Sequence, residues 1–169
     1  MAVGNGITSQ LFAVSGVQIG IAEAGIRKAH RKDLVVFELA AGSSVAAVFT
    51  TNAFCAAPVH VARQHLSTCA SRYWLVNTGC ANAGTGEHGM ADALQSCAAL
   101  AALTGTEAAS VLPFSTGVIG ELLPMERLVA GLPQALADLG ADHWLRAAEG
   151  IMTTDTRPKG ASKQLHIDG

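Results

Sequence analysis

Hydrophobic residues follow two different spacings along this chain of 169 residues. Residues 33–39 and 44–50 are short apolar segments rich in β-branched side chains, and a small glycine-containing stretch separates them. This pattern is typical of two sequential strands, which we expect to form a hairpin. Three further short segments are also predicted to be strands, at residues 72–76, 110–114 and 163–167.

Elsewhere the apolar positions recur at helical spacing. A helical or irregular segment is predicted over residues 58–65 and a helix over 87–104, and Pro124 and Asp142 are well placed to begin two more helices. The second helix is expected to turn one apolar face to the core, formed by Met90, Leu94, Cys97, Ala98 and Ala101. Strands and helices in alternation predict an α/β or α+β fold in which helices cover a sheet.

Two segments rich in glycine and hydroxyl residues follow predicted strands, a loop at 77–86 and a turn at 115–120. In the turn, the N–H of Gly117 and the hydroxyl of Thr116 could both donate to one oxygen. Two such converging donors form an oxyanion hole. The alternative is a capping role, since turns between a strand and a helix commonly contain these residue types.

The loop also contains the pattern G-x-G-x-x-G at residues 84–89, after a predicted strand and before a predicted helix. Glu107 lies near the sequence distance from this pattern at which dinucleotide-binding proteins have a ribose-binding acid. A nucleotide-binding module therefore stays open. Against it, seven residues separate the predicted strand from the first glycine of the pattern, and Glu107 follows a helix. The simpler interpretation is a turn whose backbone is satisfied by its own side chains, those of Asn77, Asn82 and Thr85.

A threonine-rich run follows the last predicted helix. The hydroxyls of Thr153 and Thr154 could contact a substrate carboxylate or amine, or Asp155 could bond nearby amides in a solvated turn. A nucleophilic hydroxyl needs a base beside it. The chain shows neither a Ser/His/Asp spacing nor a G-x-S-x-G elbow. We therefore expect the nucleophile of any such reaction to lie outside these motifs.

Composition and charge serve mainly to exclude classes of function. The net charge of −2 and a single broken basic cluster at residues 27–32 argue against nucleic acid. The apolar stretches are too short to span a membrane, and the start lacks a signal peptide, so the expected location is cytoplasmic. Hydrophobic residues make up 50% and charged residues only 14%, which predicts an apolar surface covered by a partner.

Cysteine and histidine spacing gives no sign of a metal site. The four cysteines have no C-x-x-C pairing, and the six histidines show no H-E-x-x-H pattern. Reduced structural cysteines are the expected state in a cytosolic protein. Cys80 lies in the glycine-rich loop, but no cation next to it in sequence would lower the pKa of its thiol.

Five blocks in order carry a family resemblance: VFTTN at 48–52, APV at 57–59, VNTGCANA with TGE at 76–87, STGVIG at 115–120, and IMTTDT with PK at 151–159. Together they resemble the N-terminal half of the ornithine acetyltransferases of arginine biosynthesis, which are glutamate N-acetyltransferases. The resemblance runs from about Gly16 to Gly169. Five ordered blocks are far more specific than any single motif above.

The resemblance implies a self-processing α/β sandwich. The family precursor cleaves itself before a threonine, leaving an α chain like this one and a β chain that begins with the nucleophile, with α2β2 the implied assembly. Residues 1–169 would then be a single N-terminal subunit, incomplete without the β chain. The turn signal at Asp168 and Gly169, which opens a hairpin without a second strand, points the same way.

The resemblance also implies the reaction and its residues. The new N-terminal threonine takes an acetyl group from N-acetylornithine and passes it to glutamate in a ping-pong cycle. Thr116 and Gly117 match the oxyanion-hole pair, and Thr153, with Thr154 beside it, matches the substrate-binding threonine. No cofactor is implied, although acetyl-CoA as a donor stays open. A related self-processing amidase or aminopeptidase, which transfers the acyl group to water, is the alternative.

Overall fold

A four-stranded sheet organises the chain. The computed structural model describes residues 10–167. Its strands lie in the order in which they occur in sequence and span Val17–Ala22 (β1), Leu34–Leu39 (β2), Tyr73–Cys80 (β3) and Val111–Val118 (β4). The pairs β1/β2 and β2/β3 are antiparallel, whereas β3 and β4 are parallel. The α/β class expected from the sequence is confirmed.

Four helices pack on this sheet, and they span Ala57–Thr68 (α1), Gly86–Thr104 (α2), Met125–Ala137 (α3) and Trp144–Gly150 (α4). Because β3 and β4 are parallel, a crossover must connect them, and α2 with a short 3₁₀ turn provides it. Gly105 ends α2 in the left-handed conformation at φ 66°, as its position after a helical pattern predicts. Within residues 10–167, no helix is long and apolar enough to cross a membrane.

The two faces of the sheet are covered unequally. On one face, α1, α2 and α3 bury a large core that includes Leu34, Leu75, Val111, Val61, Leu100 and Leu132. On the other, α4 packs over β1 and β2 and buries a smaller cluster of Ile19, Ile21, Val35 and Ala147. On this face, Leu112 of β4 is buried, but Phe114 near the end of the strand is 43% exposed.

Two predicted strands are wrong. Residues 44–50 have no regular structure, and Val48 is 98% exposed. The reason is that β1, which the sequence pattern did not predict, already pairs with one side of β2 while β3 pairs with the other. Residues 163–167 also form no strand, and Ile167 is 86% exposed. The turn predicted at residues 168–169 lies outside the described residues.

Smaller corrections concern where elements begin and end. The glycine-rich segments after β3 and β4 were predicted to be loops, but the strands continue through their first residues, to Cys80 and Val118. Asp142 does not cap α4, which begins after His143 without a side-chain capping bond. In α2 the buried face is rotated from the prediction: Leu94 is 44% exposed, while Ala93 and Leu100 are buried.

Asp138, directly after α3, connects β1 with α4. Its carboxylate accepts hydrogen bonds from the Ile21 N–H and the Arg146 guanidinium, both at 2.9 Å. Burial acts to raise the pKa of Asp138, but the Ile21 hydrogen bond and the nearby Arg146 and His143 outweigh it, so the pKa lies below its ordinary value. The ionised carboxylate is therefore the form that the fold stabilises.

This lowered pKa predicts a pH-dependent contribution to stability. Because the folded pKa of Asp138 lies below its unfolded value, the stabilisation is present above the unfolded pKa and is lost as the pH falls through the folded one. We expect Asp138→Asn to have a lower free energy of unfolding than the wild-type protein at neutral pH. The difference between the two proteins should shrink below about pH 4, where the wild-type carboxylate becomes protonated. Urea unfolding across this range measures it. A difference independent of pH would contradict the role of the charge.

Candidate active site

The carboxyl ends of β3 and β4 form one wall of the candidate site. Thr78 pairs with Thr116 and Gly79 with Gly117, and then the register shifts between Gly79 and Cys80. Such a bulge redirects the backbone and is common beside functional sites. Thr116 and Gly117 therefore lie at an irregular strand end, where the regular ladder with β3 stops, rather than in the free turn that the sequence predicted.

Gly117 is required by this geometry for two reasons. Its φ of 137° lies in the region that favours glycine. A Cβ at this position would also lie 2.4 Å from the carbonyl carbon of Gly79 and 2.6 Å from the amide nitrogen of Cys80. Both distances are well inside van der Waals contact, so the backbones of β3 and β4 approach closely only because residue 117 has no side chain.

Polar side chains of β3 and of the loop that follows it hold this backbone in place. Buried Asn77 donates from Nδ2 to the Cys80 carbonyl at 2.9 Å and accepts from the Ser115 hydroxyl at 2.6 Å. Asn82 donates to the Gly89 carbonyl and accepts from Thr85, both at 2.8 Å. These side chains therefore satisfy the loop itself, as the simpler interpretation of the glycine pattern at 84–89 expects.

The opposite wall is the segment that follows α4. The hydroxyl of Thr78 donates to the carbonyl of Gly150 at 3.0 Å, which fixes the end of α4 beside β3. Arg31 then donates from one guanidinium nitrogen to the carbonyls of Met152 and Thr153. The threonine-rich segment is thereby held across from the end of β4, although the two are far apart in sequence.

Between these walls lies a cavity of about 390 Å³. All four site residues predicted from the sequence line it, since Thr116 and Gly117 come from one wall and Thr153 and Thr154 from the other. Thr116 and Thr153 are half-buried. The cavity is the size of a small-molecule site. The oxyanion and substrate roles of these residues stay predictions.

Three cations from the β1–β2 connection also line the cavity: Arg27, Lys28 and Arg31. Arg27 forms an ion pair with Glu121. Sequence reasoning treated these cations only as a weak basic cluster and missed their position. A prediction of β1 would have placed them in the connection between β1 and β2. Because β2 is antiparallel to β3, this connection lies at the end of the sheet where β3 ends.

One carboxylate, Asp33, lies at the base of this connection. It accepts hydrogen bonds from the N–H groups of Ala24 at 2.7 Å and Ile26 at 2.6 Å, so it orders the loop that carries the cations. Burial raises the pKa of Asp33, although these hydrogen bonds act in the opposite direction. Its acceptor atoms are thus directed at backbone groups of its own loop.

Cys80 is a structural thiol. It is 3% exposed, and its Sγ donates to the carbonyl of Glu121 at 3.0 Å. Burial raises the pKa of the thiol, which disfavours the reactive thiolate. In the part of the chain that the structure describes, no group of three histidine, cysteine or carboxylate side chains lies close enough together to hold a metal ion.

A family model, curated relatives and solved structures all connect this chain to one protein family. The model of the ArgJ family matches residues 18–169. Two curated relatives, each named arginine biosynthesis bifunctional protein ArgJ, are 57% identical in Pseudomonas syringae pv. tomato and 56% identical in Pseudomonas fluorescens. Both alignments cover the whole of this chain but only 42% of the relative, so the chain spans less than half of their length.

Two solved structures have the same fold. The ornithine acetyltransferase of Mycobacterium tuberculosis, complexed with ornithine, superposes with a TM-score of 0.79 at 35% identity, over 89% of this chain and 80% of that one. The arginine biosynthesis bifunctional protein ArgJ of Bacillus halodurans gives a TM-score of 0.70 at 32% identity, over 84% of this chain and 74% of that one. The expected ornithine acetyltransferase-like α/β fold is therefore confirmed.

Proposed function

The chain belongs to the ArgJ family, and from this membership we propose that it is the α subunit of a glutamate N-acetyltransferase of arginine biosynthesis. The enzyme moves an acetyl group from N-acetylornithine to the amine of glutamate. One observation carries the proposal: Thr116, Gly117, Thr153 and Thr154 line a single cavity. The names of the curated relatives and the ornithine bound to the Mycobacterium enzyme support the same chemistry.

The proposed cycle has two acyl transfers. The hydroxyl of an N-terminal threonine on the β chain attacks the acetyl carbonyl, and its proton passes to the free α-amine or another nearby base. The Thr116 hydroxyl and the Gly117 N–H donate to the developing oxyanion. The bond between carbonyl carbon and nitrogen then breaks, and ornithine leaves with a proton. Glutamate attacks the acyl-enzyme in the same way, so that N-acetylglutamate leaves and the threonine hydroxyl is restored.

The β chain is the proposed partner, in an α2β2 assembly in the cytoplasm. This chain covers 80% of the chain in the Mycobacterium structure but 42% of the curated relatives, as expected for a precursor divided into two polypeptides. The surface we propose for the β chain is the end of β4 around exposed Phe114, which lies on the strand that carries Thr116 and Gly117. Residues 1–169 alone would then be incomplete.

The direct test is acetyl transfer by the full-length enzyme. We expect ornithine and N-acetylglutamate to form in equal amounts from N-acetylornithine and glutamate, with no added cofactor. Ornithine and acetate formed at the same rate without glutamate would instead indicate an amidase. The word bifunctional in the relatives' names favours a second donor. Acetyl-CoA, supplied in place of N-acetylornithine, tests that reaction separately.

Thr153→Val tests the substrate-binding wall. The change keeps the side-chain shape and removes the hydroxyl, so the proposal expects weaker binding of both substrates, because a ping-pong enzyme presents one pocket to each in turn. A lost hydrogen bond of about 0.5–1.5 kcal/mol corresponds to a KM increase of roughly 2- to 12-fold. Steady-state kinetics with each substrate varied measure this effect.

Thr153→Ser is the matched control, since it keeps the hydroxyl, and we expect KM values close to those of the wild-type enzyme. The melting temperature of Thr153→Val should barely change. Unchanged KM values together with a melting temperature several degrees lower would mean that Thr153 is a structural residue after α4 and does not bind substrate.

A further inference from the structure

Arg31 is the side chain that joins the β1–β2 connection to the threonine-rich segment. Its Nη2 atom donates to the carbonyl oxygens of Met152 and Thr153, the second at 3.2 Å. Arg31 is half-buried and also lines the cavity. This one nitrogen carries two N–H groups, and the rigid guanidinium plane fixes their directions, so it can donate to two successive carbonyls at once.

The segment that Arg31 contacts depends on such contacts for its position. Residues 151–156 follow α4 and belong to no helix or strand. Lys32 pairs with Glu149, and Thr78 bonds to Gly150, so these two contacts fix the end of α4. The N–H of Met152 donates back to the Glu149 carbonyl at 3.3 Å, and Asp155 of the segment pairs with Lys159. Arg31 acts directly on the residues beyond the end of α4, including the backbone of Thr153.

We propose that Arg31 is a positioning residue for substrate binding: it holds the carbonyls of Met152 and Thr153 so that the hydroxyls of Thr153 and Thr154 face the end of β4 across the cavity. The inference rests on the proposed function for its kinetic consequence. Removing the two hydrogen bonds leaves the oxyanion wall intact, because Thr116 and Gly117 are fixed by β3. Loss of Arg31 therefore weakens substrate binding and spares kcat.

The competing explanation is simple charge attraction, in which Arg31 only draws the substrate carboxylate into the cavity. Two variants separate the explanations. Arg31→Lys keeps the positive charge but loses the planar donor group. Arg27→Met removes a cation that lines the same cavity but contacts Glu121 instead of the threonine-rich segment. Arg31→Met, which keeps an unbranched apolar stem, completes the set.

In the full-length enzyme, we expect Arg31→Met and Arg31→Lys each to raise the KM for N-acetylornithine and for glutamate about tenfold, with kcat within about twofold of the wild-type value. Arg27→Met should raise both KM values much less. The inference is overturned if Arg31→Lys keeps wild-type KM values although its residues 150–154 exchange faster, because the ammonium would then act by charge without holding the segment. It is also overturned if Arg27→Met and Arg31→Met raise KM equally.

A second measurement does not depend on activity. Amide hydrogen exchange at residues 150–154 should be faster in both Arg31 variants than in Arg27→Met, since the carbonyls of this segment lose their donor. Unchanged exchange in both variants overturns the inference even if the enzyme is active. If the wild-type enzyme transfers no acetyl group, the proposed function fails, and the exchange experiment still decides whether Arg31 positions the segment.

Discussion

Thr116→Ala is expected to lower kcat by roughly 10²–10³, with little change in either KM, if its hydroxyl donates directly to the developing oxyanion. The reason is that a donor placed for the transition state contributes little while the substrate carbonyl is still uncharged. Thr116 lies at the end of β4, paired with Thr78 just before the bulge, so its position is fixed before substrate arrives. Steady-state kinetics of the full-length enzyme measure the effect.

Thr116→Ser is the control for this prediction. It keeps the hydroxyl and removes only a methyl group, so kcat should stay within about tenfold of the wild-type value. An alanine variant with full kcat and raised KM would contradict the oxyanion role and make Thr116 a ground-state contact. A serine variant as slow as the alanine variant would show that the methyl group, and hence packing, carries the effect.

Gly117→Ala is expected to lower kcat by about 10² or more. The added Cβ would collide with the backbone of Gly79 and Cys80 and force β3 and β4 apart at the bulge. A displacement of about 1 Å in a catalytic group is enough for a loss of this size. Both proposed oxyanion donors move together in this variant, since the N–H of Gly117 follows Thr116 directly in the chain.

Gly120→Ala is the matched comparison. Gly120 also has a positive φ, 82°, but a Cβ there would have no neighbour within 4 Å. Both substitutions strain the backbone, and only the one at position 117 adds a collision. We expect Gly120→Ala to keep kcat within about tenfold of the wild-type value. Equal losses in the two variants would mean that backbone strain alone, rather than the close approach of the two strands, explains the effect.

Local sequence signals predicted the helices well. Gly105 ends α2 and Pro124 precedes α3 because helix ends have their own chemistry, which adjacent residues supply. The strands were predicted less well. Residues 44–50 have a strand-like composition, but whether they pair depends on which sheet edges are free. Since β1 occupies the place beside β2, the segment has no edge to join there.

In the candidate site, too, some features could be predicted from the sequence and others could not. Thr116, Gly117, Thr153 and Thr154 were found through the resemblance, with a local chemical reason for each. Sequence spacing could not show that Gly117 contacts the backbone of β3, because that contact exists only after two strands pair in parallel through a crossover. Arg31 was missed for a similar reason. Its partners are carbonyl groups more than a hundred residues away, and backbone carbonyls leave no mark in a sequence.

Intact mass spectrometry of the full-length enzyme, incubated with N-acetylornithine but without glutamate, tests the central proposal most directly. We predict two polypeptides, one acetyl group covalently bound to the chain that begins with threonine, and release of ornithine. Addition of glutamate should then remove that acetyl group as N-acetylglutamate. An uncleaved polypeptide that transfers acetyl at the full rate, or transfer that never leaves an acetyl group on the protein, would contradict the account.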